Sequence, residues 1–329
     1  MLKPTGVAIV GTGSFVPEKI VTNQDLEKMV DTSDEWIRTR TGIKERRLIN
    51  EGTATSDLAY QASRRALETA EVKPEDLDLI IVGTITPDHF FPSTACILQN
   101  RLGANGSGAF DLLAACSGFI YGISAASEYL ARGTCKTALI VGAEALSTFT
   151  DYTDRGSCVL FGDGAGAAVL VKTNEPRGVL YTTLGADGSG AEYMILPAGG
   201  SRMPASHQTV DQRLHYMKIQ GRETFKFAVT KMQDLLVEAI ERLHISVDDI
   251  ALVIPHQVNT RILDAAAKKI SLPREKMYIN IERYGNTSAA SIPIALDEAN
   301  REGRLSPGDI LILVAFGGGL TWASAVIRW

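Results

Sequence analysis

Four apolar runs stand out along the chain: LDLIIVGTI (77–85), TALIVGAEA (137–145), IALVIPHQ (250–257) and DILILVAFG (309–317). Each lacks polar alternation and is rich in Ile, Leu and Val, which predicts strands buried on both faces. Between and beside them lie longer stretches with helical spacing, at 57–69, 116–131, 222–243 and 259–270. The pattern at 222–243 is the clearest. Phe225, Val229, Met232, Leu236, Ile240 and Leu243 recur every three or four residues and predict one inward stripe. Strands alternating with helices predict an α/β layered protein whose core strands are largely parallel.

The pattern also repeats. VKPEDLDLIIVG (72–83) is echoed by ISVDDIALVIPH (245–256), each a turn, an acidic pair and a buried strand. CSGFIYGISAASEYLARG (116–133) is echoed by NTSAASIPIALDEANREG (286–303), and FGDGAGAAVLV (161–171) by FGGGLTWASAVIR (316–328). The paired segments start 173, 170 and 155 residues apart. Offsets this similar predict a duplicated unit, with halves at 1–173 and 174–329 meeting in the polar stretch TNEPRG. The second pairing gives Cys116 and Asn286 equivalent places, each at the start of a small-residue helix.

Composition narrows the function. The 329 residues are 45% hydrophobic and 22% charged, enough apolar material for a large core. A formal charge of −5 with no basic stripe speaks against nucleic acid. The longest apolar stretch, Leu112 to Leu130, contains Glu128 and several serines, so a buried helix is expected rather than a membrane span. MLKPTGVAIVGTGSFVP, broken by Gly11 and Gly13, does not read as a signal peptide. Cysteines at 96, 116, 135 and 158 form no C-x-x-C pair and no metal spacing. A cytoplasmic, reducing setting and a protein without metal are the expectations.

Cys116, in DLLAACSGF, precedes a predicted helix whose N-terminal dipole favours a thiolate, and its small neighbours leave the sulfur approachable. A buried cysteine acting as a small apolar residue is equally open here. His256 ends a predicted strand, where open α/β sheets place ligand groups; a purely structural histidine fits as well. Asn286 follows a glycine and has the alternative of a helix cap. The glycine turns FGDGAG and FGGG are candidates for presenting backbone N–H groups to an oxyanion. GTGSF (11–15) lacks the third glycine of a dinucleotide fingerprint.

Together these residues carry a resemblance. AACSGF around Cys116, PHQVN around His256 and YGNTSAASIP around Asn286 resemble the cysteine–histidine–asparagine set of the β-ketoacyl-acyl-carrier-protein synthase III family. VDTSDEWIRTRTGIKER (30–46), YTDRG (152–156), FGDGAGA (161–167) and AFGGG (315–319) are similar to that family in the same order. The resemblance implies a thiolase-like five-layered αβαβα fold of two pseudo-symmetric halves, normally a homodimer. It implies an acyltransferase that joins an acyl-CoA primer to malonyl on acyl carrier protein and starts fatty-acid synthesis, with no cofactor beyond its thioester substrates. Cys116 is then the nucleophile, and backbone N–H groups of Cys116 and Gly318 the oxyanion hole. His256 and Asn286 donate to the malonyl thioester carbonyl. Thr32, Trp36, Arg40, Arg155, Gly221 and Asn259 map to CoA contacts, and Phe91 to a residue reaching across the dimer to bound primer size. Carrier docking maps to Gln257, Val258, Asn259, Thr260 and Arg261, with Lys226 beside them. A polyketide-pathway relative, a silent acyl-CoA-binding scaffold and, on GTGSF alone, a nicotinamide enzyme are the alternatives; a cysteine protease would need another local signature.

Overall fold

The computed structural model describes residues 5–329. Two sheets organise it. The first contains β1 (Val7–Phe15), β2 (Leu79–Gly83), β3 (Gly108–Leu112), β4 (Thr137–Glu144) and β5 (Gly164–Lys172), in the order β1-β5-β4-β2-β3. The second contains β6 (Gly178–Ala186), β7 (Ile250–Pro255), β8 (Ile310–Gly317) and β9 (Thr321–Arg328), in the order β7-β8-β9-β6. The helices that cover them are α1 (Asp34–Thr41), α2 (Thr55–Ala70), α3 (Thr94–Leu102), α4 (Gly118–Arg132), α5 (Gly221–Leu243), α6 (Thr260–Lys269) and α7 (Ser291–Arg301).

The unalternating strands are explained by what lies on either side of them. Successive side chains point to opposite faces, and here both faces are covered. On β2, Ile80 and Val82 face an outer layer with Leu58, Ala62 and Ala66 of α2 and Leu98 of α3. Leu79 and Ile81 face the middle of the molecule. There they meet Phe119, Ile120 and Ile123 of α4 and Ile292 and Leu296 of α7. The other side of that layer is Leu252 and Ile254 of β7 with Leu311 and Leu313 of β8. Val253, Ile312 and Val314 point the opposite way, onto α5 and α6. The result is five layers, αβαβα. On α5 the buried stripe is centred on Ala228, Met232, Leu235, Leu236 and Ala239. Phe225, Val229 and Ile240 flank it half-buried, so the stripe is rotated slightly from the one the sequence predicts.

The expectation of largely parallel strands needs correction. β2 runs parallel to β3 and β4, and β7 to β8. The pairs β1–β5, β4–β5, β8–β9 and β9–β6 are antiparallel. The reason is visible at β8–β9, where the chain turns back through three residues after Gly317, and only an antiparallel neighbour is reachable that way.

Both sheets follow one order if β6, β7, β8 and β9 are laid over β1, β2, β4 and β5. The place of β3 is then held in the second sheet by a single parallel bridge, Val253 to Met277. The matching helices also begin alike. Short 3-10 turns, Ala115–Ser117 and Ser288–Ala290, run directly into α4 and α7. Ala115 and Ser288 have the same left-handed φ of 48°. This elbow makes Ala289 the counterpart of Cys116, three residues beyond the Asn286 that the sequence echo pairs with it.

GTGSF proves to be a packing device. It lies within β1, where a Cβ on Gly11 would stand 2.5 Å from the Ala66 carbonyl oxygen and one on Gly13 2.3 Å from the Ala66 nitrogen. The glycines let α2 lie directly on the strand, and no phosphate-binding turn follows them.

Candidate active site

Cys116 sits in the turn ahead of α4 and is nearly buried, with 6% of its surface exposed. Two contacts fix the turn from the other half of the chain. Thr321 Oγ1 donates to the Ala114 carbonyl at 2.8 Å. Gly317 packs so closely that a Cβ there would lie 2.7 Å from the Cys116 amide nitrogen. The thiol is not activated in the way its position before a helix suggests. Burial, first of all, pushes its pKa up to about 12; the Ser288 hydroxyl pulls the other way, and the negative Glu144 adds to the rise. Cys116 is therefore a thiol at neutral pH.

His256 follows the end of β7, and its backbone N–H donates to the Val314 carbonyl at 2.8 Å. Its ring meets Phe316 edge-on, with centroids 5.7 Å apart, and Nδ1 lies 2.7 Å from Ser291 Oγ. Burial lowers its pKa to about 3, so the imidazole is neutral. Asn286 is held by its backbone: its N–H donates to the Leu160 carbonyl at 2.8 Å, and its own carbonyl accepts from the Gly162 N–H at 3.1 Å. Its Oδ1 accepts from the Ser288 N–H at 2.8 Å.

These bonds show what the FGDG turn does. Gly162 steadies Asn286, and Asp163 accepts from the Ser147 N–H, the Ser147 hydroxyl and the Ile49 N–H. The turn is a scaffold for the asparagine rather than a cradle for an oxyanion. FGGG differs, since Gly317 touches Cys116 and Gly318 beside it is half-exposed next to Met194.

The structure gathers Cys116, Asn286 and His256 into one region through Ser288, Gly317 and Phe316. It also gathers a surface group. The Arg155 guanidinium lies 5.1 Å from the Trp36 ring centroid and that of Arg40 lies 6.0 Å away. Thr32 Oγ1 is buried there without a hydrogen-bond partner. Asn259 caps α6 through Oδ1 and donates from Nδ2 to the Arg40 carbonyl at 2.8 Å, joining α1 to α6. Val258 and Thr260 are half-buried, and Thr260 packs against Gly42. Arg261 is exposed and lies 5.3 Å from the Phe225 ring, beside the exposed Arg222 and Lys226. Gly221 opens α5 in free space.

One of the mapped residues behaves otherwise. Gln257 is buried, donates to the Pro255 and Tyr278 carbonyls and accepts from the Asn280 N–H, so its side chain does not face a docking partner. Phe91 is 86% exposed in the single chain and lies outside this chain's own site, as a residue that reaches across to a partner would. Sequence reasoning missed Glu144, Ser288, Ser291 and Phe316. One signal was available for Glu144, a lone carboxylate at the end of an otherwise apolar run.

A buried cysteine, histidine and asparagine drawn together between the two sheets of an αβαβα fold form the arrangement of a thiolase-type condensing enzyme. Comparison with known proteins narrows this. The profile of the 3-oxoacyl-[acyl-carrier-protein] synthase III family matches residues 110–188, and that of its C-terminal region residues 240–329. A β-ketoacyl-[acyl-carrier-protein] synthase III of Caldanaerobacter subterraneus subsp. tengcongensis is 57% identical over 100% of this chain and 99% of its own. That of Clostridioides difficile is 51% identical over 99% of both. The crystal structure of the Aquifex aeolicus synthase III is 47% identical, with a TM-score of 0.91 over 98% of this chain and 100% of the other. The priming β-ketosynthase of the R1128 polyketide pathway is 33% identical, with a TM-score of 0.90 over 99% and 97%. The chain belongs to the β-ketoacyl-[acyl-carrier-protein] synthase III family. It is an acyl-transferring condensing enzyme that initiates fatty-acid synthesis. Among the described residues no helix is long and apolar enough to cross a membrane.

Proposed function

We propose that Cys116 attacks an acyl-CoA thioester, that CoA leaves, and that the acyl group waits on the sulfur. Malonyl-carrier then enters with its thioester carbonyl against His256 and Asn286. As carbon dioxide departs, the carbonyl oxygen becomes an enolate held by two donors. The carbanion attacks the acyl carbon and expels Cys116, giving a β-ketoacyl-carrier. Backbone N–H groups of Cys116 and Gly318 hold the tetrahedral oxyanion in the acyl-transfer steps. The thioester itself supplies the electron sink, so the scheme uses no cofactor and takes place in the cytoplasm.

One observation carries the reading: both buried side chains have one polar end tied to the protein, which leaves the other end for the substrate. Asn286 Oδ1 is taken by Ser288, leaving Nδ2 to give. His256 Nδ1 lies 2.7 Å from Ser291 Oγ; we assign the hydroxyl proton to that bond and the ring proton to Nε2, which then faces the substrate as a donor. Thr32, Trp36, Arg40 and Arg155 form the nucleotide end of the CoA site, with Gly221 and Asn259 further along it. With Arg155 already 5.1 Å from the Trp36 ring centroid, the adenine enters as that arginine swings away from the Asp31 carbonyl it now holds. The division into halves at 1–173 and 174–329 is part of the same reading, supported by the common strand order.

Two copies are proposed to assemble through β3. It is the outer strand of its sheet, and Phe90, Phe91 and Leu113 beside it are among the most exposed large apolar side chains. Such an edge with an apolar margin is covered in a stable protein. Sedimentation that yields the mass of one chain overturns this. Arg261, Lys226 and their neighbours form the acidic carrier's docking face. Arg261→Glu is expected to raise KM for malonyl-carrier severalfold at low salt and to leave acylation by acyl-CoA unchanged. The difference shrinks as salt shortens the electrostatic range to about 8 Å near 0.15 M. Equal effects on both substrates would move the docking face elsewhere.

The decisive experiment for the whole reading is intact-protein mass spectrometry with acyl-CoAs of increasing length and branching, followed by malonyl-carrier. A single adduct that malonyl-carrier discharges is the expected outcome, and its mass names the primer. An adduct that resists discharge would instead favour a secondary-metabolism acceptor, and none at all a silent scaffold.

A further inference from the structure

Glu144 ends β4 with no exposed surface, yet no step above uses it. Residues two apart on a strand share a face. On that face Gly142 lies so near the turn before α7 that a Cβ there would stand 2.1 Å from the Ala289 carbonyl oxygen. Glu144 therefore looks toward the same turn. Its carboxylate accepts from Thr86 Oγ1 at 2.6 Å, from Thr84 Oγ1 at 3.2 Å and from the Ile85 N–H at 3.2 Å. No cation is among these partners. Ser288, at the left-handed start of that turn, faces both the Glu144 carboxylate and the Cys116 thiol. Its buried hydroxyl meets neither at full hydrogen-bond geometry.

The groups around Glu144 are easily named. The Cys116 thiol faces it from the turn before α4. The loop after β2 offers hydroxyls and an amide. On β5, Gly164 pairs with Glu144, while the neighbouring Asp163 carboxylate is turned to Ser147 and Ile49. His256 is committed to Ser291.

These three groups titrate far apart. Burial holds Cys116 at about 12 and His256 at about 3. Burial raises Glu144 to about 7, against the pull of the Thr86 hydroxyl, the nearby Ser288 hydroxyl, the Ile85 N–H and the Thr84 hydroxyl. A thiol this weakly acidic loses its proton only to a base, and the imidazole is a much poorer base than the carboxylate. We propose that Ser288 passes the Cys116 thiol proton to Glu144 as the primer is attacked, and that Glu144 keeps it until Cys116 is expelled.

The balance is complete. The S–H bond breaks as sulfur bonds the acyl carbon; Ser288 takes that proton and gives its own to the carboxylate. The CoA sulfur leaves with the electron pair of its bond to the acyl carbon and is protonated from water. In the second half-reaction the carbanion formed by loss of carbon dioxide bonds the acyl carbon. The Cys116 sulfur then departs with its bonding pair and recovers the proton through Ser288. Above about pH 7 Glu144 is thus charged before the attack and neutral while the acyl group is bound. The proposal rests on Cys116 being the nucleophile.

The test is the single-turnover rate of Cys116 acylation between pH 5.5 and 9, followed by rapid quench and intact mass, with acetyl-CoA and isobutyryl-CoA as probes. In the wild type the rate rises about tenfold per pH unit up to a bend near 7, because only charged Glu144 accepts the proton. Glu144→Gln loses that bend and acylates about 100-fold more slowly at pH 7, within the usual range for proton-transfer groups. Glu144→Asp restores a bend, which a merely structural carboxylate would not do. Ser288→Ala repeats the Glu144→Gln profile and serves alone if that variant does not fold. An unchanged bend in either variant overturns the relay. A wild-type adduct on a residue other than Cys116 would instead overturn the assignment of the nucleophile.

Discussion

Cys116→Ala is expected to give no acyl adduct with any acyl-CoA, and condensation is expected to fall by roughly 10^4–10^6-fold, the scale seen when a covalent nucleophile is removed. The structure makes the expectation strict. The sulfur is enclosed by the Ala115–Ser117 turn, the Gly317 backbone and Ser288, so the space around it is shaped for one attacking atom. Ser117 does not substitute for it: Thr321 Oγ1 stands 3.4 Å from its oxygen, and Ser117 is fully buried where α4 begins. Removing one sulfur from a site already nearly closed leaves a small void and costs little stability, about 1 kcal/mol. A folded variant without activity is therefore the predicted outcome. An adduct that forms on the alanine variant at the normal rate would place the acyl group elsewhere and undo the mechanism.

Asn286→Ala is expected to separate the two half-reactions. Loss of one preorganised donor to a developing oxyanion costs about 10^2–10^3-fold. That loss should fall on malonyl decarboxylation, because Nδ2 is the free end of a side chain whose Oδ1 is tied to the Ser288 N–H. Cys116 acylation should slow less, although the Ser288 turn loses one acceptor. The comparison is made by quenched mass analysis of acylation beside carbon dioxide release from malonyl-carrier. Equal losses in both would mean that Asn286 only holds the Ser288 turn in shape.

Much of the architecture is legible in the residue pattern. Runs such as LDLIIVGTI became strands covered on both faces, because apolar residues with no alternation have no side to show to water. The repeat was legible too, although it was placed three residues off around Asn286. The left-handed elbows at Ala115 and Ser288 fix that register, and nothing in their side chains announces a φ of 48°. Strand direction is not legible where glycine turns fold the chain straight back, as between β8 and β9.

At the site, Cys116, His256 and Asn286 were legible as a set only through resemblance. Each alone had an ordinary structural explanation. What no string of residues discloses is the electrostatics. Proximity to a helix start suggested an acidic thiol, whereas enclosure among apolar groups and Glu144 makes it a weak acid. Gln257 and Asn259 sit two residues apart in one motif, yet one is buried in the core and the other bridges α1 and α6.

The missing fifth strand of the second sheet has a consequence for colloidal behaviour. A protein with two equivalent sheet ends could join front to back without limit and grow into fibrils. Here one of the two corresponding edges has shrunk to the Val253–Met277 bridge and offers no ladder to extend. In the proposed pair the other, β3, meets its own likeness, and an isologous contact uses up the edge on both sides. Growth then terminates at a pair, and losing a strand in one half becomes protection against runaway polymerisation.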